Sequence, residues 1–206
     1  MDFERLYQRC HAAGGMSRYA YEDDPKRLAF TLARYKHTAK LLDGCGHVIE
    51  VGCADGFGTR IVRQHVAAVT AIDVDAASIA EASANVSGRW PVTFRAGDIM
   101  SGEFLGYDAV YALDVFEHVP PEAGARFLGA MRAAAPVAVI GVPSLESQVY
   151  ASDLSRRGHV NCQSGTDFKR TLKTQWGHVF VFSLNDEAIG TGFLPMAHYL
   201  LALCVA

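Results

Sequence analysis

The chain has 206 residues, half of them hydrophobic, and carries a formal charge of 19 − 22 = −3 with no run of basic residues. That length and apolar content suit one domain around one buried core, and the charge offers no electrostatic footprint for nucleic acid. Five cysteines at 10, 45, 53, 162 and 204 are scattered and form no C-x-x-C pair. Neither a disulfide framework nor a zinc site is indicated, and a reducing, cytoplasmic setting is expected. The charged first ten residues and the lack of an apolar run of ~18 residues argue against a signal peptide or a membrane span.

In chain order, Phe3, Leu6 and Tyr7 have the spacing of a short amphipathic helix that Gly14 and Gly15 break. Asp24 before Pro25 predicts a capped helix running to about Leu42, with Leu28, Leu32, Tyr35, Ala39 and Leu42 as its apolar stripe. Residues 1–46 therefore read as a helical segment preceding the sheet and folding over its ligand-binding edge. Val48 to Gly58, V-I-E-V-G-C-A-D-G-F-G, then reads as a buried β-branched strand entering a glycine-rich turn, with a helix over Thr59 to Ala67. Strand, tight loop and helix make the nucleotide-cradling corner of an open α/β sheet. The glycine pattern is G-x-x-x-G-x-G. It matches neither the dinucleotide fingerprint nor the P-loop, and no lysine follows the last glycine. Glu50 and Asp55 make the loop acidic, which disfavours a pyrophosphate and suits a ligand bearing an ammonium and a sulfonium, as S-adenosylmethionine does.

On Glu50, Gly52, Gly56 and Gly58 the chain resembles the class I, Rossmann-like S-adenosylmethionine-dependent methyltransferases, whose first motif is approximately [DE]-x-G-x-G-x-G. Ala54 stands where that family usually has its second glycine. The resemblance covers about residues 47 to 206, which read as the methyltransferase domain. It implies a single α/β domain with a seven-stranded, mostly parallel sheet in the order 3-2-1-4-5-7-6, strand seven antiparallel. It also implies S-adenosylmethionine as cofactor, with Cys53 and Asp55 in the binding loop beside the motif residues.

A second strand over Ala68 to Val74 brings Asp73 about twenty residues past the first glycine, the distance at which a carboxylate accepts ribose hydroxyls, with Val74 beside it. Asp75 caps a helix to about Val86, and a third strand over Val92 to Ala96 leads to Gly97-Asp98-Ile99. The resemblance implies contact of Asp98 with the adenine amino group, Ile99 giving apolar cover. A fourth strand, Tyr107 to Leu113, enters L-D-V-F-E-H-V-P-P, similar to the E-H-x-P variant found in many small-molecule methyltransferases of this class. Leu113, Asp114 and Val115 should border the methionine end of the cofactor, with Glu117 and His118 just outside. From the helical segment, Tyr19, Tyr21, Arg34 or Tyr35 is a candidate to line the cleft, Arg34 on the methionine carboxylate. Pro121 opens a helix through Met131, and a fifth strand, Val137 to Val142, stops at Pro143.

The polar stretch from Ser144 to Gly165 shows no periodicity and should carry acceptor specificity, with Tyr150, Asp153, Arg156, Arg157, His159 and Asn161 among its groups. Ser164 caps a helix to about Gln175; His178 to Leu184 and Ala197 to Val205 read as the last strands, and Asn185 to Pro195 as their connection. The reading is methyl transfer to a hydroxyl, less favoured an amine, of a small molecule such as a sugar or natural product. The base is one of two histidines, His159 ahead of His118, with Asn161 to orient His159. The candidate ligands Asp114, Glu117, His118, Asp153 and His159 are too dispersed in sequence for a motif, so no metal is expected, magnesium on a vicinal diol being the alternative. No nucleic acid or membrane partner is expected, and the assembly is a monomer or homodimer. A non-catalytic S-adenosylmethionine-binding regulatory module and, further off, an NAD-dependent oxidoreductase are the competing classes.

Overall fold

The computed structural model describes residues 14–206 apart from 186 and 191, and of Leu154 the backbone alone. The helix expected at Phe3, Leu6 and Tyr7 lies outside the described residues, as does Cys10. The elements are α1 (Gly15–Asp23), α2 (Pro25–Leu41), β1 (His47–Val51), α3 (Thr59–Arg63), β2 (Ala68–Asp73), α4 (Ala76–Ala84), β3 (Thr93–Ala96), β4 (Ala109–Leu113), α5 (Pro121–Ala134), β5 (Val137–Pro143), α6 (Asp153–Gly158), α7 (Gly165–Leu172), β6 (His178–Asn185), β7 (Ala188–Gly190) and β8 (Tyr199–Val205). Strand order is β3-β2-β1-β4-β5-β8-β6-β7. β1 to β5 run parallel, whereas β8 pairs antiparallel with both β5 and β6. The expected order of seven strands is present, and β7 extends it to eight by pairing with β6 through Ser183↔Gly190 and Asn185↔Ala188.

The central strands are covered on both faces, which is why they read as unbroken apolar runs: every residue of β4 is buried, as are Val48 to Val51 of β1. Alternation along each strand divides the core in two. Ile49, Val51, Val110, Ala112 and Ile140 face α5 and α7, meeting Phe127, Leu128, Met131, Phe168 and Leu172. Val48, Tyr111 and Val139 face the other way, against Tyr35, Ala39 and Leu42 of the α2 segment. Glu50 shares this second face, so a carboxylate is carried into the interior by the strand's own period.

Helix ends follow their caps. Asp24 accepts from the Lys26 amide with Pro25 at the first position, and Asp75 accepts from the Ala77 and Ser78 amides. Three helices stop short of the sequence reading, at Arg63, Ala84 and Leu172. The stretch after Pro143, expected to lack regular structure, instead holds a 3₁₀ turn over Glu146–Tyr150 and α6, capped by Ser152. α2 is turned slightly from its expected face. Ala33, Tyr35, Thr38 and Ala39 are buried and Leu28 and Leu32 only half so. Among the described residues no helix is long and apolar enough to cross a membrane.

Candidate active site

The glycine loop joins β1 to α3 at the carboxyl end of the sheet, where ligands of open α/β folds bind. Two glycines are required by both backbone and space. Gly52 has φ +76° and a Cβ there would stand 2.3 Å from Val115; Gly56 has φ +67° and its Cβ would stand 2.5 Å from the Phe94 ring. Ala54 also takes a left-handed conformation, φ 46°, at the position where the motif usually has glycine. What holds it there is Asp73: its Oδ2 accepts the Ala54 amide at 2.9 Å and its Oδ1 accepts the Asp75 amide at 2.9 Å. A carboxylate has four lone-pair sites, so both oxygens of Asp73 keep capacity for further donors. Val74 beside it is 76% exposed and offers apolar surface at the cleft edge.

Glu50 does not open onto the cleft. Its carboxyl is 1% exposed and accepts three hydroxyls, from Tyr35 at 2.8 Å, Tyr111 at 2.8 Å and Thr59 at 2.5 Å. Burial pushes its pKa up to about 7, against the three hydroxyl donors that favour the ionised form. Asp55 is likewise turned from solvent: it accepts the Ser17 amide at 2.8 Å and the Phe57 amide at 3.1 Å, fastening α1 onto the loop. Cys53 is buried and its thiol pKa is raised by that burial. At β3, Asp98 is exposed and caps a short turn by accepting the Met100 amide at 2.8 Å, while Ile99 is buried.

At the end of β4, Leu113 is buried and Asp114 adopts φ 57°. The Asp114 carboxylate is bound through both oxygens, each 2.7 Å from one terminal nitrogen of Arg34, whose guanidinium lies 3.9 Å from the Tyr199 ring centre. Arg34 thus pairs with Asp114 through one terminal nitrogen, a partner that the expectation for Arg34 did not include. Tyr19 and Tyr21 stay exposed on α1, and Tyr35 points inward to Glu50.

Two candidates 41 residues apart in sequence, His118 and His159, are brought together. The His118 and His159 ring centres are 5.1 Å apart at 68°. His118 Nδ1 lies 2.9 Å from the Gly158 carbonyl oxygen, and His159 Nδ1 lies 2.9 Å from Gln148 Oε1. Gln148 donates its Nε2 to the Ser144 carbonyl at 3.2 Å, which leaves Oε1 as the acceptor facing the ring. Each Nδ1 thus faces an acceptor and donates to it, so in a neutral ring the lone pair belongs to Nε2. Burial and the neighbouring His118 lower the pKa of His159. Gln148, missed in the sequence, does the orienting expected of Asn161, whose own side chain reaches the Phe116 carbonyl at 3.4 Å and accepts from Gln163. Glu117 lies inside the fold beside His118. It is 1% exposed, neither carboxyl oxygen has a hydrogen-bond partner among the described residues, and burial with Asp114 nearby pushes its pKa up to about 9. Glu117, His118 and His159 each offer one ligating atom, all within 4.8 Å of one another. Three of the five residues judged too dispersed in sequence to form a ligand set are therefore adjacent in the fold; Asp114 is engaged with Arg34 and Asp153 with Arg156.

Residues 48–136 match the family model for a methyltransferase domain. The chain has the fold of the class I methyltransferases, and that match spans a little under half of it. Members of that class take their methyl group from S-adenosylmethionine. No curated protein matches the sequence. Solved structures share the fold at low identity: a small RNA methyltransferase, HEN1 (TM-score 0.69, 13% identity, 85% of this chain and 26% of that one); magnesium protoporphyrin IX methyltransferase from Synechocystis PCC 6803 with bound S-adenosylhomocysteine (0.61, 16%, 98% and 94%); and DhpI in a complex with S-adenosylmethionine (0.58, 22%, 78% and 78%). These methyltransferases are as different as an RNA and a porphyrin enzyme, so the fold alone does not choose an acceptor.

Proposed function

We propose that this methyltransferase moves the methyl group of S-adenosylmethionine to a hydroxyl oxygen of a small-molecule acceptor. The Gly52–Gly58 loop passes under the cofactor, Asp73 takes the ribose hydroxyls with Val74 alongside, Asp98 and Ile99 meet the adenine, and Leu113 and Asp114 border the methionine end. α1 and α2 cap the cleft. The reaction forms an oxygen–carbon bond as the sulfonium–carbon bond breaks with its electron pair going to sulfur, and the hydroxyl loses its proton. The donor is already activated, so alignment of the two partners supplies much of the rate, with effective molarity worth roughly 7–11 kcal/mol.

The observation that carries the hydroxyl assignment is the imidazole pair. A neutral amine needs no activation, whereas a hydroxyl with a pKa far above 7 needs its proton removed or its oxygen acidified. Two adjacent imidazoles, each with Nδ1 donating to an oxygen, are suited to that task. Exposed Leu145, Val149 and Tyr150 beside them favour an acceptor with an apolar or aromatic body.

The test is calorimetry with S-adenosylmethionine followed by a methylation screen over hydroxylated sugars, phenols, amino sugars and a short RNA, read by mass. Gain of one methyl on a hydroxyl of a small acceptor is expected. Methylation confined to amines or to RNA would replace this reading. Asp73→Ala should weaken cofactor binding by at least ~10-fold, from loss of hydrogen bonds to a charged group at ~1.5–3 kcal/mol each, and unchanged affinity would remove the ribose assignment.

A further inference from the structure

We propose that Glu117, His118 and His159 hold a divalent transition-metal cation of the Mn²⁺ type, on which the acceptor hydroxyl docks. The inference rests on the hydroxyl reading above and specifies how that hydroxyl is activated.

The donor set is the first reason. Two imidazole nitrogens and one carboxylate oxygen lie within 4.8 Å of one another. Ligands bonded at ~2.0–2.2 Å to one ion stand ~3–4.4 Å apart, so small side-chain rotations bring all three onto a common centre. Three protein ligands leave further positions open for water or an acceptor oxygen, the pattern of a reactive rather than a closed site.

The second reason is the way the rings are held. Each Nδ1 is tied to an oxygen that accepts, Gly158 O for His118 and Gln148 Oε1 for His159, both at 2.9 Å. Outer hydrogen bonds of this kind fix the tautomer, aim Nε2 and raise its basicity, as they do around metal-bound histidines. A pair of histidines serving only as packing has no need of outer acceptors that fix both rings beside a buried carboxyl.

The third reason is independent of the histidines. Glu117 is 1% exposed and neither of its oxygens has a hydrogen-bond partner among the described residues. Leaving a buried polar group unsatisfied is costly, more so when it is charged. A direct proton relay through one imidazole gives Glu117 no role, whereas a cation between the carboxyl and the two rings satisfies all three groups at once. His118 is exposed, which leaves a route for the ion and the acceptor to enter. Ligand type then narrows the ion. Imidazole favours Mn²⁺ to Zn²⁺ over Mg²⁺, while the carboxylate and the incoming hydroxyl oxygen suit the harder end of that series. A bound cation acidifies the coordinated hydroxyl, whose proton passes to solvent water as the methyl group arrives.

The experiment titrates MnCl₂ into the metal-stripped full-length protein, following free Mn²⁺ by its electron paramagnetic resonance signal and binding by calorimetry. Wild type should bind one Mn²⁺ per chain. His118→Asn and His159→Asn should each weaken it by at least 10-fold, with S-adenosylmethionine affinity unchanged as evidence of an intact fold; Glu117→Gln is the third variant, to be read only if it binds cofactor. Absence of stoichiometric Mn²⁺ binding, or binding unaltered in both histidine variants, overturns the site. The two readings fail separately. Hydroxyl methylation that survives metal stripping at full rate removes the cation's role and leaves the acceptor class standing, whereas a bound Mn²⁺ alongside amine-only methylation removes the acceptor class and leaves the site.

Discussion

Ala54 shows what one methyl group does in a cofactor loop. With φ 46° it occupies a region that costs a residue with a Cβ ~1–2 kcal/mol, and Asp73 holds it there by accepting its amide at Oδ2 while Oδ1 accepts the Asp75 amide. Glycine removes that strain but brings ~0.4–1 kcal/mol of extra unfolded-state entropy. Ala54→Gly is therefore expected to be stabilising by about 0.5 kcal/mol, a rise in melting temperature of ~1–2 °C for a chain of this size. A lower melting temperature would show that the methyl group packs better than the backbone suffers. The motif itself was legible at this scale, because Gly52 and Gly56 answer to local rules: a positive φ and a close neighbour. The fate of Arg34 was not, since its partners Asp114 and Tyr199 lie 80 and 165 residues away and no spacing announces them.

Between elements, the tie from α2 to β1 is a buried acid. Tyr35 of α2, Tyr111 of β4 and Thr59 of α3 all donate to Glu50, so four elements meet on one carboxyl. Its pKa is raised to about 7 by burial, so the folded state holds the proton more tightly than the unfolded chain does. Stability from this group is fully present below the ordinary value near 4.5 and is lost as pH rises through about 7. Glu50→Gln cannot titrate. Denaturant melts of the two proteins from about pH 4 to 8 should show wild type losing up to ~3 kcal/mol relative to the variant. A difference that stays constant with pH would mean that the hydroxyls keep Glu50 ionised throughout.

The same scale explains what sequence reading recovered among the elements. α2 and α4 were legible from Asp24, Pro25 and Asp75, whose caps are local chemistry. α6 was not, since six residues with one leucine among them have no apolar period to display. β7 was not, since three residues cannot alternate visibly and are set in place by pairing with β6. The convergence of His118 and His159 needed both the end of β4 and the turn after α6 in place, so only their types could be singled out in advance. Asp55 supplies a test of how α1 is held. Asp55→Ala removes acceptors for the Ser17 amide and hydroxyl, at ~1.5–3 kcal/mol for a charged acceptor. Amide exchange over Gly15–Asp23 should accelerate by roughly 10- to 100-fold while β4 is unaffected, and unchanged exchange there would show that α1 is held by other contacts.

Across the whole molecule, the cofactor cleft is where distant parts of the chain are fastened to one another. α1 reaches the glycine loop through Ser17 and Asp55, and it reaches α4 through the Gly15 amide on Glu81 at 2.9 Å. α2 reaches the end of β4 and the start of β8 through Arg34, which joins Asp114 to the ring of Tyr199. A ligand that binds only the assembled cleft should stabilise these attachments together rather than one at a time. At about 100 times its dissociation constant, S-adenosylmethionine contributes ~2.7 kcal/mol to any opening that releases it. Hydrogen exchange measured with and without cofactor should then slow by up to ~100-fold at three places: Gly15–Asp23, the loop from Gly52 to Gly58, and Tyr199–Leu201. Slowing limited to the loop would show that the cap and the last strand open independently of the site, and that Arg34 and Asp55 join neighbours without coupling them.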